Sequence, residues 1–128
     1  MSKLEEFRTF REKMNERILS AENLAIRRFF ALDSRVYENG ALDSKTKELL
    51  GLVASLVLRC DDCITYHVVR CLEEGVTDEE AFEAFSVGLV VGGSIVIPIC
   101  GVLLQRLTNY ARSLEPPSSK FRGTRVFT

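Results

Sequence analysis

The stretch that decides the fold runs from Glu48 to His67 and reads ELLGLVASLVLRCDDCITYH. Its first half is a nearly continuous apolar run, which predicts a buried helix. Arg59 interrupts this run, and the two aspartates after Cys60 are typical of the first turn of a new helix. The stretch therefore predicts two consecutive helices, the first of them central. The second starts with two cysteines and carries the only histidine of the chain.

Four further helices are predicted around this pair from hydrophobic periodicity and capping signals. Asn39-Gly40 marks a turn before the central helix, which Asp43 or Ser44 caps. Residues 77–80 have the pattern of a capping box, and no segment alternates as a strand does. The predicted fold class is therefore all-α, with about six helices. The six predicted helices cover residues 3–18, 21–32, from the cap at 43 or 44 to 58, 61–74, from the capping box at 77–80 to 91, and 95–112.

The first predicted helix has an apolar stripe at helical spacing, and Ser20 is the predicted cap of the second helix. Such a stripe most often packs in a core or against another subunit, so we assign it no chemistry. It consists of Leu4, Phe7, Phe10, Met14 and Ile18.

A chain of 128 residues predicts a single domain, over residues 1–112, followed by a tail over residues 113–128 that contains Pro116-Pro117. The net charge of −1 argues against a nucleic-acid partner, which requires a broad basic field. The N-terminus is charged and has no apolar signal segment, so we expect a cytoplasmic protein. Four cysteines in that compartment favour redox chemistry, metal binding or simple burial over structural disulfides.

The segment from Ala84 to Leu104 has no charged residue and is long enough to span a bilayer. Gly92-Gly93, followed by Ser94 and then Pro98, interrupts it, which is typical of one helix that ends and another that begins. We therefore predict two helices buried within the protein or against another subunit, and no membrane partner.

Cys60 and Cys63 form a C-x-x-C motif at the start of the helix that follows Arg59. Unpaired N–H groups and the helix dipole stabilise a thiolate at such a position, and this spacing also permits a disulfide. His67 lies four residues after Cys63, so the two share a face, whereas Cys60 is about two turns away. The spacing predicts that Cys63 is the histidine-coupled nucleophile and that Cys60 is the resolving thiol.

Zinc sites use the same cysteine spacing, so a metal site is an open alternative. Cys60, Cys63 and His67 supply three ligands to one ion only if the helix is distorted, because zinc–ligand bonds measure about 2.0–2.3 Å. Cys71 lies too far along the helix to join them. We predict no metal and no other cofactor, and we interpret Cys71 and Cys100 as buried apolar residues.

The spacing of a glutamate, two cysteines and a histidine resembles that of the carboxymuconolactone decarboxylase superfamily, in particular its alkylhydroperoxidase D-like (AhpD-like) branch. The pattern here is Glu48-x(11)-Cys60-x(2)-Cys63-x(3)-His67, and the likeness covers roughly residues 28–107. The resemblance implies an AhpD-like helical fold and a homo-oligomer, often a trimer or hexamer. Without the resemblance, the sequence assigns no role to Glu48, because Lys45 and Lys47 just before it favour a solvated helix face.

In the peroxidase members of the family, the second cysteine attacks and the first resolves it, while a glutamate and the histidine relay the proton. Carried over, the resemblance implies the nucleophile Cys63, the resolving thiol Cys60, and a proton relay through His67 and Glu48. Those peroxidases have a further histidine directly before the second cysteine, where this chain has Asp62. An aspartate charge disfavours a nearby thiolate, so the relay is expected to be shorter here. Decarboxylase members lack the cysteine pair, so lactone decarboxylation is not expected.

Residues and resemblance together predict a thiol-disulfide oxidoreductase with peroxidase-like activity. Its predicted partners are a peroxide or disulfide substrate and a dithiol reductant, such as a lipoyl or thioredoxin-like protein. The alternative is a redox sensor or assembly protein without turnover, which the same disulfide switches.

Overall fold

The computed structural model describes residues 3–114, which form six helices and contain no strand. The prediction of an all-α fold with about six helices is confirmed. Residues 115–128, which include most of the predicted tail, lie outside the described part. The helices are α1 (Lys3–Ser20), α2 (Leu24–Val36), α3 (Ser44–Leu58), α4 (Asp61–Glu73), α5 (Asp78–Gly92) and α6 (Val96–Leu114).

Helix α3 is the centre of the fold, as its apolar sequence predicts. It packs mainly against α4 and α5, and α6 contacts both α5 and α3. Leu52 and Leu56 of α3 and Ile64 of α4 are completely buried. Burial of a side chain of this size contributes about 1.5–3 kcal/mol, so the contacts of α3 with its neighbours account for much of the stability.

A two-residue turn joins α3 to α4 and sets their relative position. Arg59 adopts a left-handed conformation, with φ of 59°, and its N–H donates to the carbonyl of Leu56 at 3.2 Å. The N–H of Cys60 donates to the carbonyl of Ser55, also at 3.2 Å. These bonds satisfy the last carbonyl groups of α3 and turn the chain back on itself. The two helices form a hairpin, so the middle of α3 faces the middle of α4.

The predicted boundary between α1 and α2 is wrong. Ser20 belongs to α1, because its hydroxyl donates back to the carbonyl of Arg17 at 2.7 Å and so bonds within its own helix. Asn23 caps α2 instead, and its side-chain oxygen accepts from the N–H of Ile26 at 3.1 Å. Helix α2 therefore starts and ends later than predicted.

Other predicted signals are confirmed. Asp43 caps α3 and accepts from the N–H of Thr46 at 2.7 Å. Thr77 and Glu80 form the reciprocal bonds of a capping box at α5. Gly75, which follows α4, has a φ of 77°, a conformation that favours glycine.

The apolar stripe of α1 is buried only at its first residue. Leu4 is 2% exposed, whereas Phe10 is 63% exposed and Ile18 is 40% exposed. Helix α2 has no buried residue at all. The prediction that this stripe packs in the core or against another subunit is confirmed in its first form for Leu4 only, and Phe10 faces a cavity described below.

The uncharged segment from 84 to 104 is divided between α5 and α6 by Gly93, whose φ is 83°. Across residues 3–114, no helix has the length and apolar content needed to cross a bilayer. The prediction of two helices is confirmed, but burial is incomplete: Phe85 and Val96 are buried, whereas Val90 is 85% exposed.

Candidate redox site

Cys60 and Cys63 form a disulfide at the first turn of α4, with their Cα atoms 5.2 Å apart. Cys60 is the N-cap residue, in an extended conformation, and its Sγ accepts from the backbone N–H of Cys63 at 3.3 Å. The cap therefore places both sulfur atoms at the positive end of the helix dipole, which stabilises negative charge on sulfur. Cys60 is half-buried and Cys63 is exposed, so the outer sulfur is the accessible one.

The structure brings His67 and Glu48 together across the hairpin. Nδ1 of His67 lies 2.9 Å from Oε2 of Glu48, within hydrogen-bond distance. Glu48 is 1% exposed, and the side chain of His67 is 11% exposed. The interpretation of Glu48 as part of a solvated helix face is therefore wrong. Its neighbours Lys45 and Lys47 bond elsewhere, to Glu80 and to the carbonyl of residue 38.

Arg70 is a further partner of this pair, and the sequence pattern does not predict it. Its Nε lies 3.4 Å from Oε1 of Glu48, the oxygen that His67 does not contact. The guanidinium is also paired with Glu73 and Glu74, the latter at 2.9 Å, and the bond to Glu73 raises the pKa of Arg70. Arg70 follows His67 by three residues, and this spacing on a helix was a signal for a shared partner.

Two tyrosine rings enclose the imidazole. The ring centroid of Tyr37 lies 5.5 Å from that of His67, and Tyr66 makes an edge contact at 5.2 Å. Burial, and then the charge of Glu48, raises the pKa of both phenols, so both are neutral at pH 7. The guanidinium of Arg11 stacks on Tyr66 at 3.9 Å from its centroid. This cation–π contact connects α1 to the site.

Gly51 of α3 allows His67 to lie directly against the α3 backbone. A Cβ at this position would be 2.6 Å from Cε1 of His67 and 2.9 Å from each ring nitrogen. Real Cβ atoms do not approach so closely, so any side chain at Gly51 displaces the imidazole. The position of His67 thus depends on a residue in the preceding helix.

A cavity of about 330 Å³ opens on Cys63 and His67. One wall is α4, and the other is the apolar face of α1. Asp62, which directly precedes Cys63 in the sequence, also lines the cavity. The lining residues are Phe7, Phe10, Arg11, Met14, Asp33, Asp62, Cys63, Tyr66 and His67.

The two remaining cysteines do not line this cavity. Cys71 is 3% exposed, and burial, followed by the charge of Glu48, raises the pKa of its thiol to about 12. Cys100 is half-buried, and burial raises the pKa of its thiol as well. Among residues 3–114, no cluster of three or more histidine, cysteine or acidic side chains has the arrangement of a metal site.

The geometry of the cysteine pair, the histidine and the glutamate agrees with the resemblance noted from the sequence. A family model for carboxymuconolactone decarboxylases matches residues 24–97, more than half of the chain. The chain belongs to the carboxymuconolactone decarboxylase family. Its AhpD-like character has support from a curated relative, the alkyl hydroperoxide reductase AhpD of Corynebacterium aurimucosum. That relative is 36% identical over 62 residues, which are 48% of this chain and 35% of AhpD.

Solved structures match a larger part of the chain than the curated sequences do. A crystal structure of a Thermotoga maritima protein is 56% identical, with a TM-score of 0.80, over 84% of this chain and 95% of that one. A carboxymuconolactone decarboxylase family protein from Legionella pneumophila shares the fold at 21% identity, with a TM-score of 0.78, over 87% and 99% of the two chains.

The curated sequence relatives match over shorter spans. A Paracoccus denitrificans protein, described as uncharacterized protein 4 in the cox locus, is 41% identical over 56 residues, or 44% of this chain. The match spans only half the length of that relative, and about a third of the length of the Corynebacterium AhpD.

Proposed function

We propose that this protein is a thiol-disulfide oxidoreductase with peroxidase-like activity, in which Cys63 is the nucleophile. One observation carries the proposal: an accessible disulfide at a helix N-terminus shares a cavity with a histidine that is bonded to a buried glutamate. A helix N-terminus favours the thiolate, and an imidazole held by a carboxylate is suited to accept the thiol proton. His67 is the proposed base, and Glu48 is its proposed partner in the relay.

The reaction begins from the reduced pair. His67 accepts the proton of Cys63, and the thiolate attacks one oxygen of the peroxide. The O–O bond breaks, one oxygen remains on sulfur as a sulfenic acid, and the other leaves as an alcohol or water after it takes up the proton from His67. The thiol of Cys60 then attacks the sulfenic sulfur, water is released, and the disulfide forms. Two electrons have passed from the cysteine pair to the peroxide.

A dithiol reductant completes the cycle by thiol–disulfide exchange. One thiolate of the donor attacks a sulfur of the disulfide, and its second thiol releases the mixed disulfide, so two electrons and two protons return to Cys60 and Cys63. The exposure of Cys63 makes it the accessible sulfur for this attack. A lipoyl or thioredoxin-like protein is the proposed donor.

The relatives support this assignment to different degrees. The Corynebacterium relative is named an alkyl hydroperoxide reductase, and involvement in an antioxidative response has been suggested for the Thermotoga protein. The short match to the former supports peroxide chemistry in general rather than a particular peroxide. The cavity supports a substrate larger than hydrogen peroxide, because it exceeds the roughly 150 Å³ of an engineered cavity that holds benzene.

A homo-oligomer is part of the proposal, with a trimer or hexamer as the expected state. An apolar groove of about 540 Å³ runs between α3 and α5, and Leu58 and Val91 on it are 78% and 68% exposed. An apolar surface of this kind is typical of a subunit contact, and a second copy of this chain is the proposed occupant. Light scattering of the wild type and of Leu58→Glu tests this, since a charge on the groove should reduce the molecular mass.

The decisive test is peroxide consumption with dithiothreitol as the reductant. Cys63→Ser should lose activity at least about a thousandfold, because it removes the nucleophile. Cys60→Ser should accumulate a sulfenic acid on Cys63 that dimedone traps after one equivalent of peroxide. Cys71→Ala is the matched control and should stay within about twofold of wild type. Turnover by Cys63→Ser at the wild-type rate would disprove the mechanism.

A redox sensor without turnover is the second candidate, and Asp62 is the observation that favours it. Asp62 precedes Cys63 and lines the same cavity, where negative charge disfavours the thiolate and slows attack on a peroxide. A sensor predicts a reversible disulfide with negligible peroxide consumption, and a redox titration that changes the oligomeric state. Asp62→Asn distinguishes the two, because removal of the charge should accelerate a peroxidase severalfold.

A further inference from the structure

We propose that Arg70 is a positioning residue that keeps Glu48 ionised and thereby fixes the tautomer of His67, with the proton on Nδ1 and with Nε2 free to accept one. Neither the sequence pattern nor the comparisons assign a role to Arg70. The consequence for catalysis rests on the proposed function, whereas the tautomer itself does not depend on it.

The contacts of Glu48 divide between its two oxygens. Oε2 faces Nδ1 of His67 at 2.9 Å, and Oε1 faces Nε of Arg70 at 3.4 Å. The guanidinium carries a permanent positive charge and only donor groups, so it forms an ion pair with the carboxylate. Since Glu48 is 1% exposed, water does not supply this compensation. A buried carboxylate without a cationic partner is favoured in its neutral form.

The protonation state of Glu48 decides which imidazole nitrogen carries the proton. An ionised carboxylate only accepts, so it selects the tautomer in which Nδ1–H donates to Oε2. A neutral carboxyl group that donated to Nδ1 would require the proton of the neutral imidazole to be on Nε2. In that form the nitrogen that does not face Glu48 is no longer an acceptor. His67 would then lack the free lone pair that a base for Cys63 requires.

Arg70 is held in the orientation that this role needs. Its guanidinium is bonded to Glu73, one turn further along α4, and to Glu74 at 2.9 Å. These carboxylates are half-exposed or exposed and orient the guanidinium, so that Nε points inward to Glu48 while the terminal nitrogens point outward. The arrangement therefore places the positive charge of a partly solvated side chain next to a buried carboxylate.

Other charged groups near the pair do not replace Arg70. Lys45 and Lys47, on the same helix as Glu48, bond to Glu80 and to the carbonyl of residue 38. Arg11 of α1 stacks on Tyr66. The other titratable groups near the pair carry no positive charge that could replace that of Arg70: they are the phenols of Tyr37 and Tyr66, the thiol of Cys71, and the carboxylate of Asp33.

Nitrogen-15 NMR of the reduced protein at pH 8 tests the inference directly. His67 is the only histidine, so the two ring nitrogens give an unambiguous pair of signals. Their shifts and long-range couplings to the ring protons identify the protonated nitrogen. The wild type is expected to carry its proton on Nδ1. A wild type with the proton on Nε2 would overturn the inference without any mutant.

Arg70→Met should move the proton to Nε2, and Arg70→Gln, which retains hydrogen-bonding capacity for Glu73 and Glu74, should do the same if Arg70→Met does not fold. Arg70→Lys keeps the positive charge and should retain the Nδ1–H form as the major species. Arg11→Met is the matched control: it removes a cation near the histidine that does not contact Glu48, and the tautomer should be unchanged. Retention of Nδ1–H in both neutral variants would disprove the role of Arg70.

The kinetic readout is separate from the spectroscopic one. With an organic hydroperoxide, Arg70→Met should lower kcat roughly tenfold to hundredfold, the scale of a lost general base, with little change in KM. Arg70→Lys should recover most of that loss. If the wild type consumes no peroxide, the proposed function fails while the NMR result still decides the tautomer. If the tautomer moves as expected but kcat does not change, the positioning role is wrong and the peroxidase assignment stands.

Discussion

Helix α4 carries a cysteine pair at its first turn and a single cysteine further along, and the two regions differ in every property that controls thiol chemistry. Cys63 is exposed, lies at the positive end of the helix dipole and opens onto a cavity. Cys71 is 3% exposed and close enough to Glu48 for that charge to raise the pKa of its thiol. Ten residues of helix separate the helix cap Cys60 from Cys71, so the contrast arises within one element. Position along the helix, rather than residue type, therefore determines which cysteine is reactive.

The largest expected effect is in alkylation of the reduced protein. With a pKa of about 12, the thiol of Cys71 is ionised to about one part in 100,000 at pH 7, whereas an ordinary cysteine, with a pKa of about 8.5, is ionised to a few per cent. Iodoacetamide should therefore modify Cys63 at least about a thousandfold faster than Cys71, as peptide mass mapping over time will measure. The rate at Cys71 should rise about tenfold per pH unit up to pH 11, because the thiolate is the reactive form. Comparable rates at pH 7 would contradict the contrast between the two regions.

The next largest effect is expected from Gly51, which connects the buried half of α4 to α3. Gly51→Ala places a Cβ 2.6 Å from Cε1 of His67, and the ring must move away from Glu48. A displacement on the scale of an ångström costs roughly a hundredfold in rate, so kcat for peroxide should fall by about that factor. Thermal unfolding measured on the same samples separates this effect from a loss of folded protein.

Gly88→Ala is the control for that variant. Its Cβ would meet Cδ1 of Leu56, the far end of a side chain that is not part of the site, at 3.2 Å. Peroxide turnover should remain within about twofold of wild type. Equal losses in the two variants would show that tight packing around α3, rather than the position of His67, limits the rate.

The hairpin of α3 and α4 was predictable from the sequence because its signals are local. The apolar run, the acidic first turn and the C-x-x-C spacing each act within a few residues, and the structure has the cap and the helix where they predict them. Glu48 was not predictable in this way, since its partner is 19 residues away and the lysines beside it favoured solvent. Only the family pattern placed it in the site, and its role there stays a proposal.

The wall formed by α1 was predictable only as an apolar stripe. Phe7, Phe10 and Met14 have the spacing of a helix face, but a pattern does not say whether that face meets a core, a subunit or a cavity. The boundary of α2 was missed for a related reason: serine is a good N-cap, but it also bonds back to its own helix, and Asn23 had the better position. Both outcomes depend on tertiary contacts that no local signal contains.

A smaller effect is expected at the wall of the cavity. Phe10→Ala removes an aromatic ring from the surface opposite Cys63, so kcat/KM for cumene hydroperoxide should fall about tenfold, while that for hydrogen peroxide changes less than about twofold. Phe29→Ala is the matched control, because Phe29 is 67% exposed against 63% for Phe10 and does not line the cavity. An unchanged ratio of the two peroxides in Phe10→Ala would mean that α1 does not select the substrate.

The smallest expected effect concerns the cap that places the reactive sulfurs. In the reduced protein, Cys60→Ala removes the acceptor for the N–H of Cys63 and should lower the free energy of unfolding by about 1 kcal/mol, whereas Cys60→Ser supplies a better N-cap acceptor and should not. Both variants lack the resolving thiol, so a difference in urea unfolding between them isolates the cap. If the two are equally stable, Cys60 contributes nothing to the start of α4. In that case the exposed first turn is held by the bond from Cys60 N–H to the Ser55 carbonyl and by the Arg59 turn. Contacts with α3 would then position both the cysteine pair and the buried part of α4.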